Sequence, residues 1–221
     1  MFPDKVIRSN RKTVSLQINE NAELVVRVPN QISTEKILQI VEQNSNWIAR
    51  NRRAMLFKIS ESQPKKFIEG EEFLYLGKSF KLKISRKLND QLHIEDDHFI
   101  LGANILDRRK AFLEWYRNAA FSKLSERTAI IARNSELKYS AIKITSAQKR
   151  WGSCSRDGGI NYTWRLVMAP IPIIDYVVLH ELAHTVARNH SSRFWNIVKK
   201  NMPDYPIRQK WLRDNVFNLR I

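Results

Sequence analysis

The sequence predicts an α+β protein, rich in strands from residue 1 to about 103 and led by helices over 104–221. Three observations carry this. Apolar and polar residues alternate in paired runs through the first half, the period-2 signature of half-buried strands. A helical stripe of apolar residues starts after Asp107. Residues 173–188 are apolar on nearly every side, as an internal helix must be. A chain of 221 residues with 43% hydrophobic content suits a catalytic domain with a smaller appendage. Six Gly and seven Pro leave little room for long flexible linkers.

Val14, Leu16 and Ile18 share one face, and Leu24, Val26 and Val28 repeat the pattern after the polar turn 19–22, which reads as a hairpin. Ser33 or Thr34 caps a helix with the stripe Ile37, Ile40, Val41, Trp47 and Ile48, ending in the basic run 50–53. Phe73 and Tyr75, then Phe80, Leu82 and Ile84, alternate around a turn at Gly77–Lys78. A third pair, Leu92–Ile94 and Phe99–Leu101, turns at Asp96–Asp97. Asp107 caps a long helix reaching about Ala132, with Phe112, Tyr116, Ala120, Leu124 and Ile131 inward. Ile142 and Ile144 begin a strand, and the Gly158–Gly159 turn leads to another over Ile160–Val167. Pro170 and Pro172 introduce the last long apolar helix, where a proline in the first turn loses no needed N–H.

That helix carries His180-Glu181-Leu182-Ala183-His184. Residues four apart share a helix face, so both imidazoles reach one zinc at about 2.0–2.1 Å. Glu181 is rotated from His180 by about 100° around the helix. It is placed to take a proton from zinc-bound water and to pass it to the leaving group. His190 is the third ligand if the helix ends near Ala187–Arg188 and the chain turns back, with Asn189 as the left-handed turn residue. Ser191 or Ser192 then caps a helix with Phe194, Trp195 and Val198 inward. Three of the five histidines fall in this segment; His93 and His98 lie in the strand-rich half with no metal role. Zinc suits the three-His set best, with nickel, iron and cobalt as other metals it accepts.

The segments Arg150-Trp151-Gly152-Ser153-Cys154-Ser155, Asn161-Tyr162-Thr163-Trp164-Arg165-Leu166, the helix Tyr176–His184, Asn189-His190-Ser191 and Phe194-Trp195 resemble the YgjP-like (DUF45) metallopeptidase family. The resemblance extends through Pro203-Asp204-Tyr205 and Trp211-Leu212, and reaches more weakly to Trp47-Ile48 and Gly70–Gly77. It implies a zincin-like catalytic half, related to the WLM and SprT-like groups: a backing helix over 107–132, a small sheet and the HExxH helix. It also implies His180, His184 and His190 as zinc ligands and Glu181 as general acid/base. Ala187 stands where metzincins have glycine, which argues against that group.

Gly152 and its serine neighbours suggest a close backbone approach at the cleft. Cys154 is read as a reactive thiol, a fourth inhibitory ligand or a small buried side chain. Arg150 binds a substrate carboxylate or phosphate, or serves a structural ion pair. Tyr162 and Tyr205 are substrate-binding candidates, with Trp164 beside them; core packing is the competing reading for the strand aromatics.

The formal net charge of +16 reads either as attraction to an anionic partner, such as nucleic acid, a nucleotide or an acidic protein, or as a solvated basic surface. One cysteine excludes an internal disulfide and fits a reducing compartment. No signal-peptide pattern or membrane-length apolar run occurs, so a cytoplasmic protein with no membrane partner is expected. The leading function is a zinc metallopeptidase acting on peptide or protein, with substrate extended along the edge strand near 160–166. A nucleotide phosphohydrolase and a DNA-associated protease are the alternatives.

Overall fold

The computed structural model describes residues 1–61, 64–87 and 91–221. Its contacts divide the chain into two units, Met1–Gln63 and Pro64–Ile221. The sequence pattern drew the line at 103/104. The difference has a physical cause: Phe73, Phe80, Leu82, Phe99 and Leu101 of the second strand group bury into one core with Phe112 and Tyr116 of the long helix.

In the first unit, β1 (Lys5–Ser9) pairs parallel with β3 (Leu24–Pro29), and β2 (Ser15–Ile18) pairs antiparallel with β3. Leu24, Val26 and Val28 pack on Ile37, Val41 and Ile48. Where one helix was expected there are two, α1 (Thr34–Gln43) and α2 (Ser45–Glu61). Ser33 caps α1 by accepting from the Lys36 N–H. Asn44 interrupts the pair: its side-chain amide donates to the Ile40 carbonyl, a local bond that competes with continuous helix.

In the second unit, β4 (Glu72–Tyr75), β5 (Lys78–Ser85), β6 (Leu92–Glu95) and β7 (His98–Gly102) form a sheet of order β4-β5-β7-β6. Both expected hairpins are present, and β5 and β7 join them in parallel. Helix α3 (Arg108–Ser135) starts at Asp107, whose carboxylate accepts from the Lys110 N–H. Phe112 stacks on Phe73 at 4.2 Å, and the Tyr116 hydroxyl donates to the Leu74 carbonyl at 2.6 Å. The second small sheet has the order β8-β10-β9, from β8 (Ile142–Thr145), β9 (Gly152–Cys154) and β10 (Ile160–Thr163).

The strand expected over 160–167 stops at Thr163. The chain continues as a 3-10 helix, Trp164–Met168, because four of those five side chains are buried and a strand face alternates. Helices α4 (Ile171–Ala183), α5 (Ser192–Asn201) and α6 (Tyr205–Asn215) follow. Gly77, at φ +80°, brings the β4–β5 turn to Pro170 at the head of α4; a Cβ there would stand 2.7 Å from the proline ring. Backing helix, small sheet and HExxH helix are thus all present in the second unit. Among the described residues no helix is long and apolar enough to cross a membrane.

Candidate metal centre

Helix α4 is held from several sides. Ile174, Val178 and Leu182 are fully buried. Asp175, in its first turns, receives both Nε and a terminal nitrogen of Arg127 at 2.7 and 2.8 Å, which fastens α4 to α3. The sequence gives no sign of this pair, whose partners lie 48 positions apart.

The helix ends at Ala183, one turn earlier than expected. Thr185, Val186 and Ala187 N–H groups bond back to the Leu182 and Ala183 carbonyls, so the chain leaves through a tight turn. Asn189 is not left-handed; the described positive-φ residues lie elsewhere. The turn is made instead by the His184 ring, whose Nδ1–H donates to the Ala187 carbonyl at 3.0 Å. Ser191 stands at the start of α5 without a side-chain cap bond.

These local bonds bring three imidazoles together. His180 Nε2 and His190 Nε2 are 3.1 Å apart, and the ligand atoms of His180, His184 and His190 all lie within 4.8 Å of one another. Two nitrogens bound tetrahedrally to one zinc should be separated by about 3.3 Å, from Zn–N distances of about 2.05 Å. The Ala187 carbonyl fixes the tautomer of His184 and leaves its Nε2 lone pair free to bind. Burial, then the neighbouring His184 and His190, push His180 down to about 3; burial also lowers His184. Both rings are therefore neutral near pH 7, the form a cation needs. His180 Nδ1 is buried without a hydrogen-bond partner. The donor set fits a zinc ion.

Phe194, fully buried, touches all three imidazoles at 4.9, 4.5 and 4.7 Å between ring centres. The sequence marked it as an inward residue of α5; its place under the histidines follows only from the turn that folds α5 back. Trp195 stacks on His190 and Tyr205 stacks on Trp195. Trp195, half-buried, packs against the core as expected. Tyr205, also half-buried, stands at the outer end of this row.

Glu181 is 6% exposed. Burial pushes its carboxyl up to about 7, opposed in part by the Arg150 charge. Its side chain lies on the backbone of Gly152: a Cβ there would be 2.6 Å from Glu181 Cγ and 2.7 Å from Oε1. The close approach read from the sequence is this contact.

The remaining candidates separate. Tyr162 is a core residue, fully buried, and its hydroxyl donates to Thr128 Oγ1 at 3.1 Å, since that hydroxyl donates to the Leu124 carbonyl. It presents no group to a substrate, and Trp164, 1% exposed, is likewise core. Cys154 is half-buried, and burial raises its thiol. Among the described residues the metal-ligating cluster holds the three histidines and not Cys154. Arg150 is exposed and makes no ion pair among the described residues.

The YgjP-like family, described as a metallopeptidase domain, matches residues 12–215. No curated protein matches the chain. Among solved structures, the metallopeptidase zymogen of Pyrococcus abyssi abylysin is 22% identical, with 43% of this chain and 92% of that chain covered and a TM-score of 0.38. The zymogen of Methanocaldococcus jannaschii jannalysin is 17% identical, with 42% and 96% covered and a TM-score of 0.38. The match over nearly the whole length places the chain in the YgjP-like metallopeptidase-domain family.

Proposed function

We propose that the chain is a zinc-dependent peptidase in which His180, His184 and His190 hold the metal and Glu181 moves the proton. The observation that carries this reading is the three-imidazole cluster beside a buried carboxylate. Zinc, when bound, would act as a Lewis acid on the scissile carbonyl and on the attacking water. Glu181 accepts a proton at its carboxylate and returns it to the leaving amine; a group whose pKa lies near the working pH does both. Gly152 holds that carboxylate in place from below.

Sheet order revises where substrate is expected to lie. β10 is the central strand, so residues 160–163 have no free edge, and β9 is the edge strand nearest α4. Trp151, Ser153 and Ser155 face β10 in the ladder, with Thr163 N–H bonded to Trp151 O and Ser155 N–H bonded to Gly159 O. By the alternation of an antiparallel pair, the N–H and C=O groups of Gly152 and Cys154 point to the open side. An extended peptide pairing there passes directly over Glu181.

Purified protein is expected to hydrolyse an unfolded protein substrate, to stop on chelation and to recover with zinc. Activity that survives complete chelation would refute this reading. A second reading, nucleotide phosphohydrolysis, is favoured by the unpaired Arg150 beside Glu181. It requires phosphate release that depends on Glu181 while peptides are left intact.

A further inference from the structure

The edge strand β9 is bracketed by positive charge. Lys149 and Arg150 precede it, and Arg156 follows it; all three are exposed. The fourth cation, Arg188, comes from the loop between His184 and His190. Its guanidinium donates to the Ser155 carbonyl at 2.5 Å and the Arg156 carbonyl at 2.6 Å, and stands 3.9 Å from Cys154 Sγ. None of these four cations has a carboxylate partner among the described residues. Arg188 is thus held by backbone oxygens, which fix its position, while the exposed Asp157 carboxylate feels its charge without an ion-pair contact.

The spacing is regular. Gly152 lies against Glu181; Arg150 stands two residues before it, and Cys154, with Arg188 beside it, two residues after. β9 spans Gly152–Cys154, so Cys154 shares a strand face with Gly152, while Arg150 stands just before the strand, near enough for its charge to act on Glu181. A substrate strand paired with β9 would therefore set side chains beside Arg150 and beside Arg188, on either side of the residue opposite Gly152. Opposite charges facing each other across a strand pair attract.

From this spacing, and resting on the peptidase reading above, we infer that the site selects extended peptides with an acidic residue two positions to each side of the one lying over Gly152. Arg150 and Arg188 are then specificity-determining residues. They set which peptide is bound and leave the proton transfer to Glu181.

Three labelled peptides test this, with the same apolar central residue and Glu, Gln or Lys at both flanking positions. Binding is measured by fluorescence anisotropy on zinc-loaded Glu181→Gln protein, and kcat/KM on the wild type. The Glu peptide should lead the Gln peptide by on the order of five- to tenfold, with the Lys peptide last. The advantage should shrink as salt rises from roughly 50 mM to roughly 0.5 M, because the charges are exposed. Arg150→Glu should remove or reverse the order; Arg150→Gln, at the same exposed position, should level it. Arg188→Lys keeps the charge but loses the paired carbonyl bonds, and should reduce the preference.

Equal handling of the three peptides, or an order unchanged in Arg150→Glu, overturns the inference while leaving the peptidase reading intact. Failure to hydrolyse any peptide or unfolded protein overturns the peptidase reading itself. Hydrolysis of a nucleoside triphosphate alone, dependent on Glu181, would assign these cations to phosphate and overturn both.

Discussion

Glu181→Gln is expected to lower kcat by about a thousandfold or more while zinc stays bound, since the exchange removes the proton acceptor and leaves the three imidazoles in place. The upper part of the usual range for general acid–base catalysis applies because one group serves both proton transfers. The same variant has a second, independent signature. A carboxyl raised by burial from 4.5 to about 7 binds more protons in the folded than in the unfolded chain across that interval. Stability of the metal-free protein therefore falls as pH rises from about 4.5 through about 7, and the loss remains above it. Glutamine does not ionise. Metal-free Glu181→Gln should be more stable than metal-free wild type at pH 8, on the order of 1–3 kcal/mol, and should show no such gain below pH 4.5. Thermal melts of the two metal-free proteins at both pH values measure this. Equal stability at pH 8 would mean that the carboxylate is not held in the dry position against Gly152.

Gly152→Ala is expected to lower catalysis by about a hundredfold, less than Glu181→Gln, for a steric reason. The added Cβ would meet Glu181 Cγ, Oε1 and Cδ at 2.6, 2.7 and 2.8 Å, well inside contact distance. The glutamate must move, and a displacement of about 1 Å at a reacting group costs on the order of a hundredfold in rate. Metal content should be unchanged, because the methyl group meets no histidine within 4 Å among its three nearest atoms. Full activity in Gly152→Ala would show that Glu181 does not act from this position.

The parts of this fold that sequence reveals are those set by local period. The paired alternations around Gly77 and Asp96 become hairpins, and the Asp107 cap opens α3 where the stripe starts. What stays hidden depends on distant partners. The parallel joining of β5 to β7 has no local signal. The extent of β10 was overestimated because an apolar run reads alike as a buried strand and as the buried 3-10 turn that it forms. The break at Asn44 was obscured because one apolar stripe runs through both α1 and α2.

At the site, the grouping of His180, His184 and His190 was legible because a helical i, i+4 pair followed by a short turn brings three imidazoles together. The turn that delivers His190 was assigned to the wrong device. A left-handed Asn189 was the economical reading, whereas the ring of His184 bonds the Ala187 carbonyl and closes the turn. The sequence leaves Tyr162 open between a substrate-binding and a core role; its burial and the Thr128 hydroxyl make it core. Conversely, the meaning of Gly152 needed the position of Glu181, 29 residues later.

Metal stoichiometry tests the central claim most directly. Zinc bound per chain is measured after equilibrium dialysis for wild type and for His190→Ala, with circular dichroism to confirm that both are folded. The expected result is about one zinc per folded wild-type chain and a loss of affinity of at least about a hundredfold in His190→Ala. Folded His190→Ala that binds zinc as tightly as wild type would contradict a three-histidine centre.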